Sequence, residues 1–138
     1  MKKLIKNIIK EYINEEVSLN SDMDIEKMEL IQQFVDYVCE KLGIHGDVFI
    51  NLQGTRDGLT TTAQFNTLTN EINIYSNGRH PVDICRSIAH ELVHQQQKEE
   101  DRLYDGAGED GTDIENEANS VAGVMIREFG RENPELYD

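Results

Sequence analysis

Long uninterrupted hydrophobic runs are missing from this chain, and no stretch approaches the roughly 20 apolar residues that a membrane-crossing helix needs. Lys2, Lys3, Lys6 and Lys10 mimic the basic start of a secretory signal. However, Lys6, Lys10 and Glu11 interrupt the apolar run that must follow. Cysteine is scarce as well. Cys39 and Cys85 each sit among apolar residues of helical spacing, where buried thiols are expected rather than a disulfide or metal ligands. Together these absences point to a reducing cytoplasm. Positive charge is also in short supply, with 13 lysines and arginines against 27 acidic residues and a formal net charge of −14. Such a surface repels phosphate backbones, so nucleic acid is not an expected partner. The single lysine cluster reads as the solvated face of a first helix. There is neither an internal repeat nor a low-complexity tract to suggest an array or a linker.

What the chain does have is apolar residues in periodic segments, and 138 positions suffice for one domain with one modest core. Residues 1–45 read as a helical N-terminal part. Leu4, Ile5, Ile8, Ile9, Tyr12 and Ile13 define a first amphipathic helix, and Ile25, Met28, Ile31, Val35, Val38 and Leu42 the face of a second, closed by Gly43. Both look like scaffold. From residue 46 the period shortens to extended runs, "VFINL", "LTTTAQF" and "EINIY", which predict a small antiparallel sheet. Pro81 and Asp83 suit the first turn of a third helix with Ile84, Ile88 and Leu92 on its buried stripe. A fourth follows a Gly- and Asp-rich loop, with Ile114, Ala118, Val121, Ala122, Met125 and Phe129 facing inward and Gly130 as its end. The fold class expected is α+β.

The third helix carries "RSIAHELVHQQQK". His90 and His94, one helical turn apart, project their imidazoles from one face about 6 Å apart and can close on a single metal ion. Glu91, beside the first ligand, could take a proton from a metal-bound water. A catalytic zinc site needs a third protein ligand and one open position. A histidine six residues after His94, with a glycine between to break the helix, would be one solution. Those positions hold Glu100 and Gln97 instead, and a continuing helix carries Glu100 some 15 Å along the axis from His90. The better candidate is Glu115 on the fourth helix. Asn119, four residues on, can accept from the N–H of a ligating histidine, and the small Ala118 and Ala122 allow close approach of the two helices. Competing readings exist. Thr112 and Glu115 also spell a capping box that would fold Glu115 back, unless Asp113 caps instead. Glu117 is the other acid at hand, but it projects nearly opposite. The loop 105–113 has the composition of a calcium loop without its ligand alternation, and reads as a lid or connector.

"HELVH" followed by "ENEAN" resembles the gluzincin pattern H-E-x-x-H…E-x-x-A-[DN], and is especially similar to the ImmA/IrrE family of small bacterial and phage metallopeptidases. The resemblance covers roughly residues 84–125, and departs from the family at Val93, where glycine is frequent. It implies a zincin-like minimal metallopeptidase domain spanning 1–138. One zinc per chain would be held by His90, His94 and Glu115, with Glu91 as general base and Asn119 orienting a ligand. The expected activity is hydrolysis of peptide bonds by Glu91-activated, zinc-bound water, on a protein or peptide substrate. Tyr104, His80 and Tyr75 are the candidates for stabilising the transition state. Ala63, Gln64 and Phe65 are the candidate edge strand on which an extended peptide would pair, its segments neutral or basic against so acidic a surface. The alternative is a metal-stabilised regulatory or interaction module that makes no cut, and the plainest reading is a metal-free domain. Nothing in the sequence fixes an oligomeric state.

Overall fold

A computed structural model describes residues 25–55, 62–104, 106–107 and 111–138. The helix expected over residues 4–13 lies outside the described residues.

Among them the first element is α1, Ile25–Leu42. Met28, Ile31, Val35 and Val38 form its buried face as expected, joined by Phe34 between them. Ile25 does not belong to this face. It stands at the first helical position, outside the stripe's cover, and is 68% exposed. The helix stops where the sequence says it should. Gly43 adopts φ 65°, Gly43 N–H donates to Glu40 O at 3.3 Å and Ile44 N–H to Cys39 O at 3.2 Å, the paired bonds of a Schellman cap.

Strands β1 (Phe49–Gln53), β2 (Ala63–Phe65) and β3 (Glu71–Tyr75) form one sheet in the order β1-β3-β2. The sheet is mixed, which corrects the antiparallel expectation. β1 runs parallel to β3 with Ile50 opposite Ile72 and Leu52 opposite Ile74, whereas β2 pairs antiparallel with β3, Phe65 opposite Ile72. Alternation of apolar residues reveals which face is buried but not which way a strand runs. The excursion through β2 brings the chain back beside β1 in β1's own direction. The turn into β3 is made by Asn66, whose side-chain oxygen accepts from Leu68 N–H (2.9 Å) and Thr69 N–H (3.2 Å), and by Asn70 at φ 62°.

Helix α2, Pro81–Glu99, packs Ile84, Ile88 and Leu92 against the sheet and α1, all three fully buried. Each such side chain contributes on the order of 1.5–3 kcal/mol relative to its exposed state. Beyond Val93 the helix turns polar, yet the polar side chains reach other elements. Gln95 donates to Asp47 O (3.0 Å), Gln96 to Leu42 O (3.0 Å), Lys98 to Thr67 O and Asn70 Oδ1 (2.6 Å each), and Glu99 accepts from His45 and Gly46 N–H (2.8 and 2.9 Å). The end of α2 is thereby fastened to the loops on either side of the sheet.

Helix α3, Asp113–Glu132, lays Ile114, Ala118, Ala122, Met125 and Phe129 inward, with Val121 half-buried. Ala118 and Ala122 are buried to 0% and 1% exposure, as close approach to α2 requires. The helix does not end at Gly130. It continues to Glu132, and a 3-10 turn at Pro134–Tyr137 folds back so that the Tyr137 ring occupies the space where a Cβ at position 130 would stand. Gly130 is therefore a packing glycine rather than a cap. Cys39 and Cys85 are free and buried, and burial pushes both thiols up, Cys39 to about 12. No helix among the described residues is long and apolar enough to cross a membrane.

Candidate metal centre

The face of α2 opposite its apolar stripe presents His90 and His94 to the first turn of α3. The rings meet edge to face, centroids 4.7 Å apart, with their Nε2 atoms separated by 3.1 Å. Glu115 enters between them from α3. Its Oε1 lies 3.1 Å from His90 Nε2 and its Oε2 2.6 Å from His94 Nε2. Each of the three residues offers one ligand atom, all within 4.8 Å of one another, so the cluster could hold a metal ion.

Glu115 is free to do this because Thr112 alone caps α3. The Thr112 hydroxyl accepts from Glu115 N–H at 3.2 Å and donates to Ala107 O at 2.6 Å. Asp113, the alternative cap, instead accepts from Tyr104 O–H at 2.9 Å. The Glu115 carboxylate points at the imidazoles rather than back at the helix start, so only half of the capping box forms.

The electrostatics of this cluster favour a cation. Glu115 Oε2 is buried without an aligned hydrogen-bond donor, even though His94 Nε2 is 2.6 Å away. On the far side of that ring, His94 Nδ1 faces Gln97 Oε1 at 2.8 Å, an atom that can only accept. In the neutral ring the proton therefore belongs on Nδ1, and a nitrogen lone pair then meets a carboxylate oxygen at close range. Two electron-rich atoms so placed repel each other in a low-dielectric pocket unless a proton or a metal ion bound at Nε2 supplies positive charge. Two neutral imidazoles and a carboxylate are also the donor set that borderline divalent ions accept. Burial holds His90 toward its neutral, ligating form, with the adjacent His94 acting the same way against the opposing pull of Glu115 and Asn119.

Comparison with protein-family models, curated proteins and solved structures finds no match to this chain. The remaining features of the site are those of its own geometry.

The cluster lies in a cleft of about 720 Å³ that collects most of the residues singled out in the sequence. Glu91 lines it at 7% exposure, and burial, with Glu115 adding to it, pushes the Glu91 carboxyl up to about 8. Asn119 lines it one turn along α3 from Glu115, on the His90 side, where it favours the protonated form of that ring. Ala63, Gln64 and Phe65 form its wall as strand β2, at the edge of the described sheet. Tyr104 stands at the rim, half exposed, its hydroxyl held above the usual tyrosine range chiefly by the bond to Asp113.

Two candidates are absent from this cleft. His80 caps α2, with Nδ1 accepting from Val82 N–H at 3.1 Å and Nε2 lying 3.2 Å from Asp138 O, so both ring nitrogens are engaged at the far end of the helix. Tyr75 ends β3 without lining the cleft, and its carbonyl accepts from the Arg79 guanidinium at 2.7 Å. Glu117, the competing acid, pairs with Arg102 and Gln97 instead of the histidines. Of the loop 105–113, Ala107 is buried and lines the cleft.

Sequence reasoning passed over Gln97. It appeared only as a position lacking glycine, yet it is fully buried and touches His94. The available signal was its spacing, since a residue three after a ligand shares that ligand's helix face.

Proposed function

We propose that the protein is a zinc-dependent endopeptidase on a minimal zincin-like domain, of the gluzincin kind that its "HELVH" and "ENEAN" segments resemble. What supports this reading above all is the convergence of His90, His94 and Glu115 from two helices in a cleft that also contains Glu91. The three would hold the ion through two nitrogens and a carboxylate, the ligand number that leaves a catalytic zinc one open position. Zinc bound there supplies Lewis acidity, which polarises a peptide carbonyl and makes water a nucleophile at neutral pH.

The chain's own residues do the rest. Glu91, next in sequence to a ligand, takes a proton from the attacking water on its carboxylate and returns it to the departing amine nitrogen. Tyr104 at the rim is the available hydroxyl donor for the oxyanion, once its bond to Asp113 is exchanged for one to substrate. The backbone of Ala63–Phe65 offers an edge to an extended peptide, which would pair as a further strand and lie along the cleft. With a net charge of −14, peptide segments that are neutral or basic are the favoured substrates.

Glu91→Gln tests this directly, with zinc content by mass spectrometry and cleavage of a diverse peptide mixture measured on the same preparations. The variant is expected to keep one zinc per chain and to lose about 10²–10⁴-fold in cleavage rate, the range that a positioned proton-transfer group contributes. Undiminished cleavage contradicts the mechanism. Absence of any product from the wild type, with zinc bound, favours instead a metal-stabilised binding module.

A further inference from the structure

Gln97 stands three residues after His94, where α2 meets the start of α3. Its side chain has no solvent exposure and makes three hydrogen bonds. The amide nitrogen donates to Ile114 O at 3.1 Å and to Glu117 Oε1 at 2.9 Å, while the amide oxygen meets His94 Nδ1 at 2.8 Å. The first two partners, a backbone carbonyl and a carboxylate, can only accept. They fix the amide with its nitrogen toward α3 and its oxygen toward the histidine. The proton in the bond to His94 must then be the ring's own, on Nδ1, which in the neutral ring leaves the lone pair on Nε2 facing Glu115 and His90.

Glu117 is held in turn. Arg102 donates to its two oxygens at 2.8 and 3.2 Å, and also to Glu100 at 2.8 Å. A continuous chain of partners thus runs from the surface, Arg102 to Glu117 to Gln97 to His94. No step in it is symmetric, because each donor–acceptor direction is dictated by the one before.

We infer that Gln97 is a positioning residue. It selects the Nδ1–H tautomer of His94 and aims Nε2 into the ligand cluster, with the Arg102–Glu117 pair locking the amide the right way round. The role in tautomer selection stands on these contacts alone, whereas its consequence for metal binding rests on the zinc reading above. A buried glutamine that merely tied α2 to α3 would stabilise the fold and leave the imidazole proton to the ring's other surroundings.

The test uses the full ¹⁵N-labelled chain and long-range proton–nitrogen correlation spectra of its imidazoles at a pH where they are neutral, followed by zinc affinity from chelator competition. Three proteins are compared: wild type, Gln97→Leu, and Gln97→Glu combined with Glu117→Gln. The leucine keeps the volume and removes the acceptor. The double variant exchanges carboxylate and amide, so that an acceptor still faces His94 and a donor still lies between positions 97 and 117. Wild type is expected to show His94 protonated on Nδ1. Gln97→Leu should lose that preference and bind zinc roughly 10–100-fold more weakly, the usual effect of removing a ligand's hydrogen-bond partner. The double variant should restore both.

His94 protonated on Nε2 in the wild type would overturn the assignment, as would an unchanged tautomer in Gln97→Leu or a double variant that fails to restore it. Should Gln97→Leu not fold, the wild-type tautomer and the double variant still decide. A wild type that shows the tautomer, and its dependence on position 97, but takes up no zinc would uphold the role of Gln97 and sink the zinc reading instead.

Discussion

Glu115 and Glu117 share the first turns of α3, carry the same carboxylate, and have different fates. Two residues of helix rotate the second by about 200° from the first, so Glu115 meets two imidazoles while Glu117 meets Arg102 and an amide. Their substitutions should separate accordingly. Glu115→Ala is expected to abolish stoichiometric zinc uptake with the fold intact, since it removes an acid whose buried Oε2 has no aligned donor. Glu117→Ala should still bind one zinc, more weakly, and lose no more than about 1 kcal/mol of stability, because its ion pair is more than a third exposed. Zinc titrations followed by native mass spectrometry distinguish the two, and the reverse pattern would move the site to Glu117. At this scale the sequence was legible wherever helical spacing does the work. The intervals set His90 and His94 on one face of α2 and Glu115 and Asn119 on one face of α3, and with Glu91 all of them line one cleft. Gln97 was not legible, since a glutamine inside a polar run reads as solvated surface until a partner helix covers it. His80 misled for the opposite reason, being a ring of the right chemistry spent on capping a helix.

Among elements, the helices were readable over most of their length and the direction of the strands was not. Residues 81–99 and 113–132 carry 3.6-residue periodicity and caps of recognisable type, a His-Pro start for α2 and a threonine for α3. Strand β1 pairs with β3 over a sequence separation that its own five residues say nothing about. The end of α3 shows how a local rule yields to packing. Gly130 looks like a stop, but its missing side chain makes room for Tyr137, whose hydroxyl also reaches Ile126 O at 3.4 Å. Helix propensity alone would make Gly130→Ala stabilising by about 0.5–1 kcal/mol. That gain is expected only in a Tyr137→Ala background. In the wild-type chain the new methyl displaces the ring, and the gain should vanish or reverse. Urea midpoints of the four proteins in this cycle measure the difference, and equal stabilisation in both backgrounds would show that Tyr137 does not depend on the glycine.

For the molecule as a whole, one core has to hold two helices in a fixed relation, because the candidate site takes two ligands from α2 and the third from α3. Ile84, Ile88 and Leu92 anchor α2 to the sheet, Ala118 and Ala122 set the closeness of α3, and Phe34 stacks edge-on against Phe129 at 5.3 Å to tie α1 to α3. The polar end of α2 then fastens the surrounding loops, so the imidazoles are presented on a braced helix. A pre-set site of this kind loses little ordering entropy when an ion binds. The most direct measurement is an anomalous difference map recorded across the zinc absorption edge from crystals grown with zinc. One peak per chain is predicted, bonded to His90 Nε2, His94 Nε2 and the Glu115 carboxylate; no peak there, or a peak that leaves Glu115 unbonded, would contradict the account.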